Sequence, residues 1–412
     1  MITLERFSMG IGDRFGQEGE AQLAAFVRAL AAGVEIIPVW NKSNREHTLI
    51  GTDPASVRAE ADAATGALGW KRPYRVDADH IGLKTVDRFL AASDFFTIDV
   101  ADFIGQPVSE DEVRAFVARH QRLLGGPFGL TSQMLERAAR KYLLAVQEAA
   151  RVYRYLEKTK GTGQFIAEVS MDETDTPQTP PELLVILAAL AEAGVQAQTI
   201  APKFSGRFNK GVDYVGDLAR FEREFAADLA VVAFAVREFG LPANLKLSIH
   251  SGSDKFSLYP IVHRQLRRSG AGVHVKTAGT TWLEEVAGLA RAGGEALRLA
   301  KEMYAAMFAR REELAQPYRT VIEIDPKQLP DPATVNQWTS DQFVAALRHD
   351  PKNPRFNPHF RQLVHVGFKV AAERGREFRD ALTAHRALIA EWVTDNLYRN
   401  HIAPLFLGAN GV

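Results

Sequence analysis

Short runs of apolar and β-branched residues recur along the chain, separated by longer stretches whose apolar positions fall every three to four residues. Eight such runs predict strands: Leu4–Gly12, Val34–Trp40, Tyr74–His80, Phe95–Val100, Phe165–Asp172, Ala197–Phe204, Leu245–His250 and Gly272–Lys276. The stretches between them carry helix signals. Asp53-Pro54 opens one helix that runs to about Gly66, and Ser109 with Glu112 has capping-box spacing before Val113–Leu124. Thr131 caps a long run to Lys158, Pro180-Pro181 opens Glu182–Ala193, and Gly216–Phe239 stops at Gly240 and Pro242.

Strands alternating with helices predict a parallel sheet, and eight of them close a (β/α)8 TIM barrel. The barrel is expected over residues 1–300, with a helical insertion at 105–163. Residues 301–412 are expected to form a C-terminal helical extension packed on it. The helical runs here are Trp282–Arg311, Thr339–Arg348 and Arg374–Leu397, around a Pro-rich stretch, Pro326–Pro354, and a ninth strand-like run, Leu363–Lys369. An open doubly wound sheet is the runner-up, disfavoured by the even spacing of the strands.

The polar positions now gain meaning. Side chains alternate faces along a strand, so the apolar set can be subtracted. In the fifth strand Val169 and Met171 face the helices, leaving Glu168, Ser170 and Asp172 inside. In the seventh, Lys246, Ser248 and His250 face in; in the eighth, His274 and Lys276 do. Barrel interiors are normally aliphatic. Burying this many ionisable groups costs several kcal/mol unless they pair or bind a metal, so the interior itself points to function.

Composition removes whole classes. With 50 basic and 50 acidic residues the chain is neutral, against a dedicated nucleic-acid binder. It has no cysteine, so disulfides, thiolate metal sites and a cysteine nucleophile are excluded. No apolar run reaches membrane-spanning length and the start lacks signal-peptide order, so a cytoplasmic enzyme or binding protein is expected. Association into a homo-oligomer stays open.

His80, His250 and His274 stand at strand ends with carboxylates beside them, the donor set of one divalent ion such as zinc, manganese, iron or nickel. His365 is a reserve ligand; the remaining histidines lie in helices or loops and read as structural. Asp79 and Glu168 are the candidate acid/base pair, with Asp172 or Glu173 able to replace either or to join the metal. Salt bridges to Lys203, Lys246 or Lys276 are the plainer reading of these acids. Ser251-Gly252-Ser253 and Thr277-Ala278-Gly279-Thr280 follow strands seven and eight, where barrels bind phosphate or carboxylate, and Arg14 and Lys255 add charge. Lys203, Lys276 and Ser251 are further candidates for holding a substrate's acid group. Gly10-Ile11-Gly12-Asp13-Arg14-Phe15-Gly16 has its third glycine one place late for a dinucleotide fingerprint.

Taken together, several strings resemble the tagaturonate epimerase family. They include Gly12-Asp13-Arg14-Phe15-Gly16, Asp77-Ala78-Asp79-His80, Glu168-Val169-Ser170-Met171-Asp172-Glu173, Lys210-Gly211-Val212-Asp213-Tyr214, Leu247–Phe256, His274–Thr280 and Arg361–His365. The resemblance implies a metal-dependent barrel isomerase acting on a keto sugar acid. Its acid–histidine pair falls on Asp79 and His80, and its other metal histidines on His250 and His274. One segment departs from the family's acidic pattern, Gly206-Arg207-Phe208-Asn209. The expected reaction is removal of a proton next to the ketone, giving an enediolate, and its return on the opposite face. The alternatives are a Schiff-base aldolase using Lys203 or Lys276, and a sugar-acid binding protein without turnover.

Overall fold

Eight parallel strands close on themselves in sequence order: β1 (Phe7–Ile11), β2 (Ile37–Ser43), β3 (Arg75–Ile81), β4 (Phe95–Asp99), β5 (Ile166–Ser170), β6 (Thr199–Ala201), β7 (Lys246–Ile249) and β8 (Val273–Lys276). Each strand pairs with the next, and β8 closes the ring on β1, where Gly10 pairs with Lys276. This computed structural model describes residues 2–277 and 279–408. Each expected run overlaps one observed strand, and nearly every strand residue is buried, as in a parallel barrel wrapped by helices.

Helices cover the outside. Gly19–Ala31, Pro54–Ala67, Ser132–Lys160, Pro180–Glu192, Leu218–Phe239, Tyr259–Ser269 and Thr280–Ala292 follow β1, β2, β4, β5, β6, β7 and β8. The capping box at Ser109 and Glu112 and the Thr131 cap both form. The crossover from β3 to β4 has only a 3-10 turn, Val86–Phe89. Within the long segment after β4, Ser132–Lys160 serves as the fourth barrel helix. Met9, Ile11, Trp40, Ile98, Val169, Leu247 and Val275 pack outward against these helices in one continuous core. A separate small cluster, Leu4, Val39, Phe95 and Ile166, plugs the barrel floor. Above that plug the interior turns polar.

Gly10 shows how the polar interior fits. A Cβ there would come within 2.9 Å of the Asn41 side chain and 3.1 Å of Lys276 Cγ. Its missing side chain makes room for Lys276 to cross the barrel.

The C-terminal part is helical, as expected, but the ninth strand-like run is not a strand. Leu363 to Val366 belongs to the helix Pro358–Val366, and the next helix begins at Phe368. From Phe360 to Val366 every residue is buried. A fully enclosed helix shows neither polar face, so its apolar run cannot be told from a strand by periodicity. These helices lie over the mouth of the barrel: Trp282 donates to the Val364 carbonyl (2.8 Å), and the Lys210 amide donates to Val321 (2.8 Å). Among the described residues no helix is long and apolar enough to cross a membrane.

Candidate active site

One ammonium organises the interior. Lys276 Nζ donates to Asp77 Oδ2 (2.8 Å) and Asp79 Oδ1 (2.7 Å), lies 3.1 Å from Glu168 Oε1, and also reaches Thr97. Burial alone would neutralise this lysine, but Asp77, Asp79 and Glu168 hold its pKa well above the ordinary value. At Asp79 burial works upward, but Lys276, His80 and His250 together outweigh it and lower the carboxyl to about 2. Asp77 is pushed up to about 7, mainly by burial, with Asp79 and Glu168 adding to it against Lys276. Three carboxyls around one ammonium leave the site short of positive charge.

Two imidazoles stand above this network. His250 Nε2 bonds to Glu168 Oε1 at 2.7 Å. Its Nδ1 lies 2.8 Å from Asp172 Oδ1, in ion-pair contact. Asp172 in turn accepts from Ser170 Oγ at 2.7 Å. His80 Nδ1 bonds to Asp99 Oδ2 at 3.2 Å, and its ring lies 5.2 Å from that of His250. Burial pulls both rings down, but Asp79 and Asp99 raise His80 to about 10, and Asp172 and Glu168 raise His250 to about 9. The pocket therefore favours a positive charge between the two rings.

That geometry fits a divalent ion. One nitrogen of each ring is braced by a carboxylate, which fixes the ring and leaves the other nitrogen as a ligand. His80, His250 and Asp172 each offer a ligand atom, all within 4.8 Å of one another. His250 Nδ1 and Asp172 Oδ1, 2.8 Å apart, form a pair of ligand atoms that a cation can share.

His274 does not join this group. It pairs in register with Ser8 and Ser248, and its Nδ1 is 2.9 Å from Ser8 Oγ. It faces inward like Lys276 but sits two residues earlier on β8, about 7 Å deeper by strand rise. Burial lowers its pKa to about 3, despite Glu168, so it is neutral. His365 is also apart, on the helix Pro358–Val366.

His80 reaches the site by a backbone device. Alternation sends Asp77 and Asp79 inward and the next residue outward. The β3–β4 register shifts between Ala78 and Ile81, and His80 has a left-handed φ of 53°. The bulge turns its ring inward beside Asp79. Ser251 (φ 49°) and Asp254 (φ 60°) are the other non-glycine residues with positive φ among those described, both after β7.

The mouth opens into two connected spaces. An inner pocket of about 50 Å³ is lined by Asp79, His80, Asp172, His250, Ser251 and Lys276. An outer cavity of about 520 Å³ takes in Arg14, Glu46, Asp99 and Tyr318. Asp79, His80, Glu173 and Lys210 line both. A further pocket of about 70 Å³ brings Gly206, Arg207, Phe208 and Asn209 against Asp172 and His250, so the departing segment faces the site. Glu168 is fully buried beneath and lines none of these spaces.

The cations expected to hold an acid group are mostly occupied. Lys255 Nζ donates to three carbonyls, of Asn209, Val212 and Ser253. Lys203 donates to the Thr174 carbonyl, and Arg14 Nε pairs with Glu46 at 3.1 Å. Ser251 lies in the inner pocket. Of the segment after β8, Ala278 lies outside the described residues. Asp13 has a local structural role, accepting from the amides of Phe15, Gly16, Gln17 and Glu18. Asp77, Asp99 and Lys210 are site residues the sequence reading missed. Alternation puts Asp77 on the inner face with Asp79, and Asp99 with Thr97; Lys210 depends on long-range packing.

A closed parallel barrel with acids, braced imidazoles and a buried lysine at the carboxyl ends of its strands is the build of a proton-transferring (β/α)8 enzyme. The chain belongs to the tagaturonate epimerase family, UxaE, whose pattern it matches over residues 1–400, and so to the isomerases. It is 30% identical over 419 residues to the tagaturonate/fructuronate epimerase of Thermotoga maritima, covering 96% of this chain and 80% of that one. The native crystal structure of fructuronate-tagaturonate epimerase UxaE from Cohnella laeviribosi superposes with a TM-score of 0.70 at 25% identity, covering 95% and 82% of the two chains. A glycerol complex of that enzyme gives 0.67 at 26%, with the same coverage.

Proposed function

We propose that this protein interconverts tagaturonate and fructuronate with the help of one divalent ion held by His80, His250 and Asp172. The observation that carries the reading is the pair of carboxylate-braced rings aimed with Asp172 at one point. The ion, zinc, manganese, iron or nickel, supplies positive charge to a developing oxyanion when bound. His274, one layer down, is assigned to packing.

The chemistry of the two acids revises the expected step. They differ at one hydroxyl-bearing carbon, which is separated from the ketone by a further carbon. Removing a proton next to the ketone does not invert that centre. Breaking and remaking the bond between the two carbons does. A carboxylate takes the hydroxyl proton, the hydroxyl becomes an aldehyde, and the ketone fragment leaves as an enediolate. The aldehyde turns over, the bond reforms on its other face, and a carboxyl group returns the proton. Asp79 and Glu173 both line the inner and outer spaces and take these roles. Lys276 keeps Asp79 ionised, and Glu168 orients His250. A Schiff base at Lys276 is disfavoured, because three carboxyls hold it as ammonium.

Incubation in deuterated water tests this. Tagaturonate should yield fructuronate with its original proton retained at the inverted carbon, read by NMR. Deuterium at that carbon would sink the bond-breaking route in favour of direct proton exchange. Absence of product with any of the four ions would sink the epimerase. Asp79→Asn and Glu173→Gln should each cut turnover about a hundredfold, the usual scale of acid–base effects.

A further inference from the structure

We infer that Lys210 is the residue that recognises the substrate's carboxylate and so selects sugar acids over neutral keto sugars; this rests on the sugar-acid reading above. The case comes from accounting for every cation on the walls of the site. Lys276 is taken by Asp77 and Asp79, Arg207 by Glu323 at 2.6 Å, and Lys203 by the Thr174 carbonyl. Arg14, which of the two connected spaces lines only the outer one, is paired through Nε with Glu46, while its buried Nη1 has no hydrogen-bond partner. Arg45 is exposed at the rim and reaches only the Pro317 carbonyl, at 3.4 Å. Among the described residues the Lys210 ammonium has neither an acidic partner nor a side-chain hydrogen bond, yet it is half-buried and lines both the inner and outer spaces. A partly buried ammonium with no partner is free to pair with an anion that enters the pocket.

Its position is fixed in advance. The Lys210 amide donates to Val321, and the next carbonyl, of Gly211, accepts from Arg361 Nε. Gly211 itself takes a left-handed φ of 74°, where a Cβ would press within 3.1 Å of the buried His365 ring. The loop is therefore clamped between the barrel and the C-terminal helices, and little ordering is left to be done on binding. The metal-ligand group, the acids and Lys210 line the same inner pocket. A keto sugar acid has matching polarity, with its reacting hydroxyls and ketone at one end and a carboxylate at the other. The lysine is a point charge suited to that single anionic group.

The test is calorimetric titration of the manganese-loaded protein with fructuronate and with fructose, which lacks the acid. The unaltered protein should prefer the acid. Lys210→Met should bind the acid about ten- to a hundredfold more weakly, the loss of one charge-assisted hydrogen bond, and fructose as before. Lys210→Arg should recover part of the preference. Equal weakening of both ligands, or no weakening of either, would overturn the assignment. Product formation separates the two readings. Acid-selective binding that depends on Lys210, without epimer, removes the epimerase and leaves Lys210 standing. Epimer made by Lys210→Met with unaltered affinity for the acid does the reverse.

Discussion

Left-handed backbone at a non-glycine residue costs of order 1–3 kcal/mol, and this molecule accepts it at His80, Ser251 and Asp254, all at or beside the site. The strain at His80 buys a ring that alternation would have sent outward. Alternation did predict Glu168, Asp172, His250 and Lys276, because a period of two suffices once the apolar face is known. It could not rank depth, and so it grouped His274 with residues a layer above it. The two assignments separate experimentally. His80→Ala, His250→Ala and Asp172→Ala should each lower bound divalent ion from about one per chain by the three-ligand argument, measured by elemental analysis after dialysis. His274→Ala should keep the ion and lose thermal stability, since it only empties a packed interior. Loss of the ion in His274→Ala would return that histidine to the ligand set.

At the scale of elements, the junction between the β1 loop and its helices carries an acidic load. Glu18, Glu60 and Glu285 come from the loop and from the helices Pro54–Ala67 and Thr280–Ala292, with Asp13 among them. Burial is the largest cause in each case. It drives Glu18 to about 8, with Asp13 and Glu20 adding and Arg386 opposing. Both Glu18 oxygens and both Glu285 oxygens are buried without partners. A folded pKa raised from 4.5 means that the native state holds the proton more tightly. Its stabilising effect is complete below about 4.5 and is lost as pH rises through 8. The melting temperature should therefore fall between pH 5 and 8, and Glu18→Gln should flatten that slope and raise the value at pH 8 by roughly 2–4 °C. An unchanged slope in this variant would show that the carboxyl is already ionised in the fold. None of this junction was legible in the sequence. Capping and periodicity place each helix, but not which acids meet where three elements converge.

For the whole molecule the same limit applies to the C-terminal helices. Their existence was legible; their part in building the site was not, because no local pattern records a contact over a hundred residues away. Arg361 is the clearest such contact. It is 1% exposed, and it donates to the Gly211 carbonyl, the Leu347 carbonyl (2.8 Å) and Asp254 Oδ1 (3.1 Å). One side chain thus ties the loop after β6, the loop after β7 and the covering helices together. Burial works to raise the Asp254 pKa, but Arg361 and His349 hold it well below the usual carboxylate range. Arg361→Met leaves that charge buried with only His349 beside it, so about 3–5 kcal/mol of stability should go. Adding Asp254→Asn removes the charge and should recover much of the loss, so the double variant costs less than the sum of the single ones. Thermal unfolding of the four proteins measures this coupling. Sugar-acid affinity should not recover with stability, because Gly211 has lost its anchor and Lys210 its fixed place. Recovery of both together would reduce the covering helices to packing. Recovery of stability alone means that the barrel depends on them to hold its substrate.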